Sequence, residues 1–375
     1  MDEGDRAPGS RARHVLLAGG GSGGHVFPAL AVGAELGRRG WRVSYAGDPA
    51  GMEARLVAGH GVDFVPLPAR PLVGRGPLAR LGALATLARS TAAARRAVRG
   101  LGIDAVVGTG GYASAPAVLG GAWARRPTLL VEPNARPGAA NRWLSRVATA
   151  AAVAYEAAGR ELACPSFVAG VPIRARFFAL PALAADAPPR LVVLGGSQGS
   201  RRLNGLLPAA VARALARVPA LTVLHQCGER HVEEARALWQ ASAVPAARVE
   251  LVPFVADVAA ALADATLVLS RAGAITLAEI CAAGRPSVLV PLALAGAHQR
   301  ANAALLEAAG AALRFEEESA TAEALGARLA DALADGAALA AMGARARALA
   351  RPAAAAAIAD RVASLVAARS VEERP

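Results

Sequence analysis

Glu279 lies six residues beyond Gly273, in a stretch that reads as a buried strand at residues 267–269, a tight turn at 270–273 and an Ala-rich helix stopped by Gly284. A glycine between a strand end and a helix start lets backbone N–H groups face an anion, and the helix dipole adds roughly half a positive charge there. A phosphate would sit at that turn. Glu279 shares a helix face with Ile275 and Thr276 and leans back toward the N-terminus. A carboxylate so placed repels phosphate but suits a ribose diol, which offers two hydroxyl donors. A further strand at residues 287–290 leads into a polar loop with His298, Gln299 and Asn302, where Gln299 supplies a donor and an acceptor for a sugar. The same spacing also fits a solvated helix carboxylate and an ordinary loop glutamine, and spacing does not separate the two.

The whole run carries more information than its spacing. Ser270-Arg271-Ala272-Gly273-Ala274-Ile275-Thr276-Leu277-Ala278-Glu279, then residues 282–286, then His298-Gln299-Arg300-Ala301-Asn302-Ala303, resembles the nucleotide-sugar signature of the MurG family. Those peptidoglycan glycosyltransferases move N-acetylglucosamine from UDP onto lipid I. The resemblance implies UDP-N-acetylglucosamine as donor, contacted by Ala274, Ile275, Thr276, Leu277, Ala278, Glu279, Gln299 and Asn302.

The chain of 375 residues is long enough for two α/β domains, each with its own core. All 41 basic residues are arginine and alanine is abundant, a pattern of genome composition before it is one of function. The net charge of +12 still favours an acidic partner such as an anionic membrane, a nucleotide or a nucleic acid. Cys164, Cys227 and Cys281 stand far apart without Cys-x-x-Cys spacing, which fits a reducing compartment and suggests neither zinc nor a disulfide framework. No apolar run approaches the ~20 residues of a membrane span. Residues 1–12, with Asp2, Glu3 and Asp5, read as a disordered tail rather than a secretory signal.

Residues 15–18 form a buried-type strand running into Gly19-Gly20-Gly21-Ser22-Gly23-Gly24, then His25 and a helix ending at Gly40. Formally this contains Gly-x-Gly-x-x-Gly, with Asp48 at the distance a dinucleotide fold wants, so an NAD-binding domain is one reading of these fifty residues. The segment 19–30 also resembles the first glycine loop of the MurG family, which places Ser22, Gly23 and Gly24 against the acceptor pyrophosphate. Near a helix N-terminus the dipole disfavours imidazolium, so His25 is a neutral imidazole able to accept a proton, or else a capping histidine.

Leucines at 72, 78, 81, 84 and 87 alternate with arginines between residues 72 and 99, and most of these leucines are expected to pack on the sheet. The leading part, with Leu72, Val73, Arg75, Leu78 and Arg80, resembles the apolar patch with basic rim by which the family sits on anionic lipid. Each arginine near such a surface contributes about 1 kcal/mol.

A second glycine cluster, residues 108–111, is followed by Tyr112 and resembles the family's second glycine loop. The family's Glu-Gln-Asn appears here as Glu132, Pro133 and Asn134, with Pro133 a departure. Gly170-Val171-Pro172-Ile173-Arg174 matches the family's Gly-Asn-Pro-Val-Arg with Val171 in place of asparagine, and the resemblance sends Arg174 across the cleft to the nucleotide phosphates. Residues 181–189 read as linker. A strand at 191–194 and Gly195-Gly196-Ser197-Gln198-Gly199 then repeat the opening grammar of the chain, with Ser197 beside phosphate. By resemblance the base lies near Val255.

Two such openings indicate an α/β protein of the GT-B kind, with two Rossmann-like domains whose parallel sheets face across a cleft. The domains expected are 13–175 for acceptor and membrane, 176–350 for the UDP-sugar, and a helix at 351–375 returning to the first. The sequence holds no Asp-x-Asp pair, so neither metal nor cofactor is expected, and UDP departs against a helix N-terminus, Ser197 and Arg174. The resemblance implies an inverting hexosyltransferase acting on lipid I to give lipid II, with His25 or Glu132 as base, at the cytoplasmic face of a bacterial inner membrane. A UDP-N-acetylglucosamine 2-epimerase or a diacylglycerol glycosyltransferase would share the architecture. A nucleic-acid binder is disfavoured, since no recognition motif or aromatic stacking platform is present.

Overall fold

The computed structural model describes residues 11–71, 76–183, 187–196, 198–292 and 297–372. They divide into two compact units. The first runs to Glu132 and adds Pro137–Pro172 and the chain from Ala353 on, and the second holds Pro133–Arg136 and Ile173–Pro352.

In the first unit the strands β1 (His14–Ala18), β2 (Arg42–Gly47), β3 (Asp63–Pro66), β4 (Ala105–Gly108), β5 (Thr128–Glu132), β6 (Ala150–Val153) and β7 (Ser166–Val168) form one sheet, ordered β3-β2-β1-β4-β5-β6-β7. Every pairing is parallel. Short unbroken apolar runs such as residues 15–18 of β1 become central parallel strands because both faces of such a sheet are covered by helices. The pleat sorts them: Val15 and Leu17 face one core, Leu16 and Ala18 the other. The helices are α1 (Gly23–Arg38), α2 (Met52–Ala58), α3 (Pro77–Gly100), α4 (Ala115–Trp123), α5 (Ala139–Leu144) and α6 (Glu156–Arg160).

The second unit repeats the plan with β8 (Arg190–Leu194), β9 (Thr222–Gln226), β10 (Val249–Val252), β11 (Leu267–Ser270), β12 (Ser287–Leu289) and β13 (Leu313–Arg314), ordered β10-β9-β8-β11-β12-β13 and again parallel. Its helices are α7 (Arg201–Arg217), α8 (Val232–Gln240), α9 (Val258–Ala263), α10 (Ala274–Ala283), α11 (Ala297–Ala308), α12 (Ala322–Ala334) and α13 (Gly336–Ala348). The last helix, α14 (Ala354–Glu372), packs in the first unit, where Ile358, Ala359 and Val362 join the core with Val26 and Leu36 of α1. Among the described residues no helix is long and apolar enough to cross a membrane.

Two expectations are corrected. His298, Gln299 and Asn302 lie in α11 and not in a loop, because the alanines that follow extend a helical turn and Ala303 and Leu306 anchor it in a core cluster. Leu81 and Leu84 do not pack on the sheet: they are 64% and 50% exposed, while Ala94 and Val98, further along α3, are buried in a core cluster.

Candidate active site

In each sheet the order reverses between two adjacent central strands, and ligands of such folds gather at the C-terminal ends of that pair. In the first unit the pair is β1 and β4, in register with Ala18 beside Gly108, so both glycine loops leave the sheet side by side. Gly111 adopts φ 75°, and a Cβ there would drive into the Gly20 carbonyl oxygen. Only glycine allows that approach.

Thr109 joins the two loops. Its N–H donates to Ala18 O at 2.8 Å, its hydroxyl donates to His25 O, and its own carbonyl accepts from His25 Nδ1 at 2.9 Å. A carbonyl only accepts, so Nδ1 carries a proton, and in the neutral form of the ring the lone pair then lies on Nε2. Ser22 is the N-cap of α1 without a side-chain cap bond, and Gly23 and Gly24 follow in the half-exposed first turn with His25. Tyr112 is partly exposed beside Gly21.

Glu132 sits elsewhere in its chemistry. It is 1% exposed, and one oxygen accepts from Gly138 N and from Asn141 Nδ2, each at 2.9 Å. The carboxylate thereby shapes the turn into α5, a positioning task. Asn141 Oδ1 is buried and accepts no bond among the described residues.

In the second unit β8 and β11 are the reversing pair, with Leu194 beside Ser270. A cavity of ≈ 640 Å³ opens there, lined by Gly196, Gly199, Arg271, Thr276, Gln299 and Glu317 among others. Ser197 falls outside the described residues. Ser200 caps α7 by accepting from Leu203 N at 3.3 Å. Gly273 caps α10 with open space where its Cβ would be, and Ala274, Ile275, Thr276 and Ala278 are half-exposed. Leu277 is instead buried in the core, so only its backbone can meet a ligand. Gly284 ends the helix at φ 62°, the left-handed C-cap its type predicts.

Glu279 is 9% exposed and lies 3.6 Å from an Arg174 nitrogen, in the same unit. Burial pushes its carboxyl up to about 7, and the Arg174 guanidinium offsets part of that rise. Arg174 also lies over the Phe177 ring at 5.1 Å. In this arrangement the arginine meets a carboxylate, where the sequence reading sends it to phosphate.

Gln299 Oε1 accepts Leu292 N at 2.9 Å. Asn302 is fully buried: its amide donates to Ala272 O and to Asn134 Oδ1, each at 3.1 Å, while its oxygen accepts Ala135 N at 2.8 Å. It braces the turn before α10. Val255 is buried in a core cluster while Phe254 beside it is 57% exposed.

Four features of these loops escaped the sequence reading. Arg271 is held by Val290 O, Ser200 Oγ and the buried Glu317, which the sequence presents only as one of three acids in a row. Asn204 Nδ2 holds Cys227 O at 2.9 Å beneath the 195–199 loop. His225, fully buried, accepts from Trp239 Nε1 and donates to Asn204 Oδ1, each at 3.0 Å, and burial pushes its pKa down to about 4. The fourth is Glu53, beneath the first glycine loop.

Two parallel doubly wound sheets, each with a glycine loop at its reversal point and one with a carboxylate set back along the helix, define a GT-B glycosyltransferase. Residues 15–153 match the glycosyltransferase family 28 N-terminal domain and residues 190–361 its C-terminal domain. The chain is 43% identical over 326 residues to the UDP-N-acetylglucosamine--N-acetylmuramyl-(pentapeptide) pyrophosphoryl-undecaprenol N-acetylglucosamine transferase of Halorhodospira halophila, covering 85% of this chain and 89% of that one. It is 41% identical to the protein so named from Sorangium cellulosum, covering 85% and 83%. The crystal structure of Acinetobacter baumannii MurG superposes with a TM-score of 0.75 at 33% identity, covering 94% of this chain and 99% of that one. The chain belongs to the MurG family.

Proposed function

We propose that this chain transfers N-acetylglucosamine from UDP-N-acetylglucosamine to the 4-hydroxyl of the muramyl sugar of lipid I, inverting the anomeric centre and giving lipid II. The observation that carries the reading is Glu279, buried and paired with Arg174 behind the open first turn of α10, in a chain of this family. The α10 N-terminus and the 195–199 loop meet the diphosphate, and Glu279 accepts the ribose hydroxyls. The first turn of α1, with Ser22, Gly23 and Gly24, meets the acceptor pyrophosphate, with Tyr112 and Asn134 assisting. The acceptor hydroxyl bonds to the anomeric carbon as the bond to the UDP oxygen breaks, UDP leaves with the electron pair, and the hydroxyl proton passes to His25 Nε2. The Thr109 carbonyl holds the ring in the tautomer that can take it. Glu132, buried and already accepting two donors, shapes the neighbouring turn.

Incubating the chain with UDP-N-acetylglucosamine and a short-chain lipid I analogue is expected to yield a β-linked disaccharide product and UDP by mass spectrometry and NMR. Sugar-nucleotide turnover without acceptor would instead favour an epimerase.

The membrane side of the reading is the inner-leaflet docking of a peripheral enzyme. Leu72, Val73 and Arg75 lie outside the described residues, as does the Leu78 side chain, while Arg80 is exposed. Support comes from the next turns of α3, where Leu81 and Leu84 are exposed, and from Trp123 of α4, 54% exposed with the Arg95 guanidinium 4.5 Å from its ring. Apolar side chains beside arginines suit an anionic bilayer surface. Leu81→Glu with Leu84→Glu is expected to cut sedimentation with vesicles containing anionic lipid several-fold, with turnover of a soluble acceptor retained. Unchanged sedimentation would place the docking surface elsewhere.

A further inference from the structure

Glu53 lies in the first turn of α2, fully buried, and nothing above gives it a part in the reaction. Its Oε2 accepts the Gly21 N–H at 3.3 Å and its Oε1 the Asp48 N–H at 3.1 Å. One carboxylate thus ties the loop after β1 to the loop after β2. Three glycines make the space, one in the first glycine loop and two in the connection from β2 to α2: a Cβ at Gly20, Gly47 or Gly51 would come within 3.0 Å of the Glu53 side chain. The chain has given up a side chain at three places to seat this one.

The consequence falls on the 19–24 loop. With the Gly21 N–H committed to Glu53, a diphosphate at this loop takes its donors from the next turn, the start of α1, which also carries His25. The direction in which those amides and the imidazole point is therefore set from beneath.

We propose that Glu53 is a positioning residue for the acceptor: it holds the 19–24 loop in the shape that presents the first turn of α1 and His25 to a prenyl-linked diphosphate. The proposal rests on the acceptor half of the function given above. Both oxygens are needed. A glutamine accepts one N–H and turns its own amide donors on the other, leaving a buried donor facing a donor.

Glu53→Gln and Gly47→Ala, which displaces the side chain without removing it, are to be compared with the unmodified chain in three measurements. Hydrogen exchange over residues 19–25 is expected to quicken in both variants and to stay unchanged over residues 195–204. UDP affinity by calorimetry is expected to stay within twofold. The specificity constant for a short-chain lipid I analogue is expected to fall on the order of tenfold to a hundredfold, the scale of a misplaced reacting group. Acceptor kinetics that match the unmodified chain overturn the proposal, and so does a parallel loss of UDP affinity, which would mark a general structural role. Should Glu53→Gln fail to fold, Gly47→Ala carries the same comparison. An unmodified chain that binds UDP but transfers nothing to the analogue defeats the functional reading itself, before any variant is compared.

Discussion

Replacing His25 by alanine is expected to lower turnover of the lipid I analogue by about 10²–10⁴-fold, the range that positioned proton transfer contributes, while UDP affinity changes little. The ring is half-exposed in the first turn of α1, and its Nδ1 is fixed by the Thr109 carbonyl. Its Nε2 is the nitrogen that can take a proton, and alanine removes that atom with little loss of packing. Thr109 keeps its backbone bond to Ala18, so the glycine loops remain joined. Rapid-quench kinetics with calorimetry for UDP separates the two effects. A variant retaining more than a tenth of normal turnover would rule His25 out as the base and return attention to the less accessible Glu132.

Glu279→Ala acts on the other half of the reaction. Hydrogen bonds to a charged group contribute roughly 1.5–3 kcal/mol each, so the loss of two ribose hydroxyl contacts lowers the donor specificity constant by roughly a hundredfold or more. The pH dependence adds a sharper test. Burial holds this carboxyl near pH 7 in the free protein, and hydroxyl donors favour its ionised form. Donor affinity of the unmodified chain is thus expected to tighten as pH rises from 6 to 8, with binding below pH 7 releasing a proton. In Glu279→Gln that proton release disappears. Calorimetry in two buffers of different ionisation enthalpy reads the proton directly, and an unmodified chain that releases none at pH 6 would remove Glu279 from the ribose.

Much of the fold was legible because it depends on near neighbours. The apolar runs at residues 15–18 and 267–269 read as buried strands, and the glycine turn after each as a strand-to-helix crossing, and both lie at the centre of their sheets. The place of Glu279 on a helix after a glycine turn follows from local spacing, and the structure has it there as a buried carboxylate of α10. The start of α11 was misread because the polar residues His298, Gln299 and Asn302 looked like a loop, when Asn302 is buried there to brace another segment. Leucine spacing in α3 likewise suggested burial, and which leucines face the sheet depends on where the helix lies against Ile103 and Val106.

By itself, then, the order of residues determined two sheets, two glycine turns between strand and helix, and the place of Glu279 on the helix after the second of them, because strand burial, glycine turns and helix faces are properties of a few consecutive residues. The tertiary structure alone decided the tautomer of His25, the pairing of Arg174 with Glu279 and of Arg271 with Glu317, and the seat of Glu53 under the first loop. Those partners are 84 residues apart for His25 and Thr109, 46 for Arg271 and Glu317, and 32 for Gly21 and Glu53. Hydrogen bonds and desolvation act through space over a few ångströms, so separations of that length along the chain carry no pattern until the sheets bring their strand ends together.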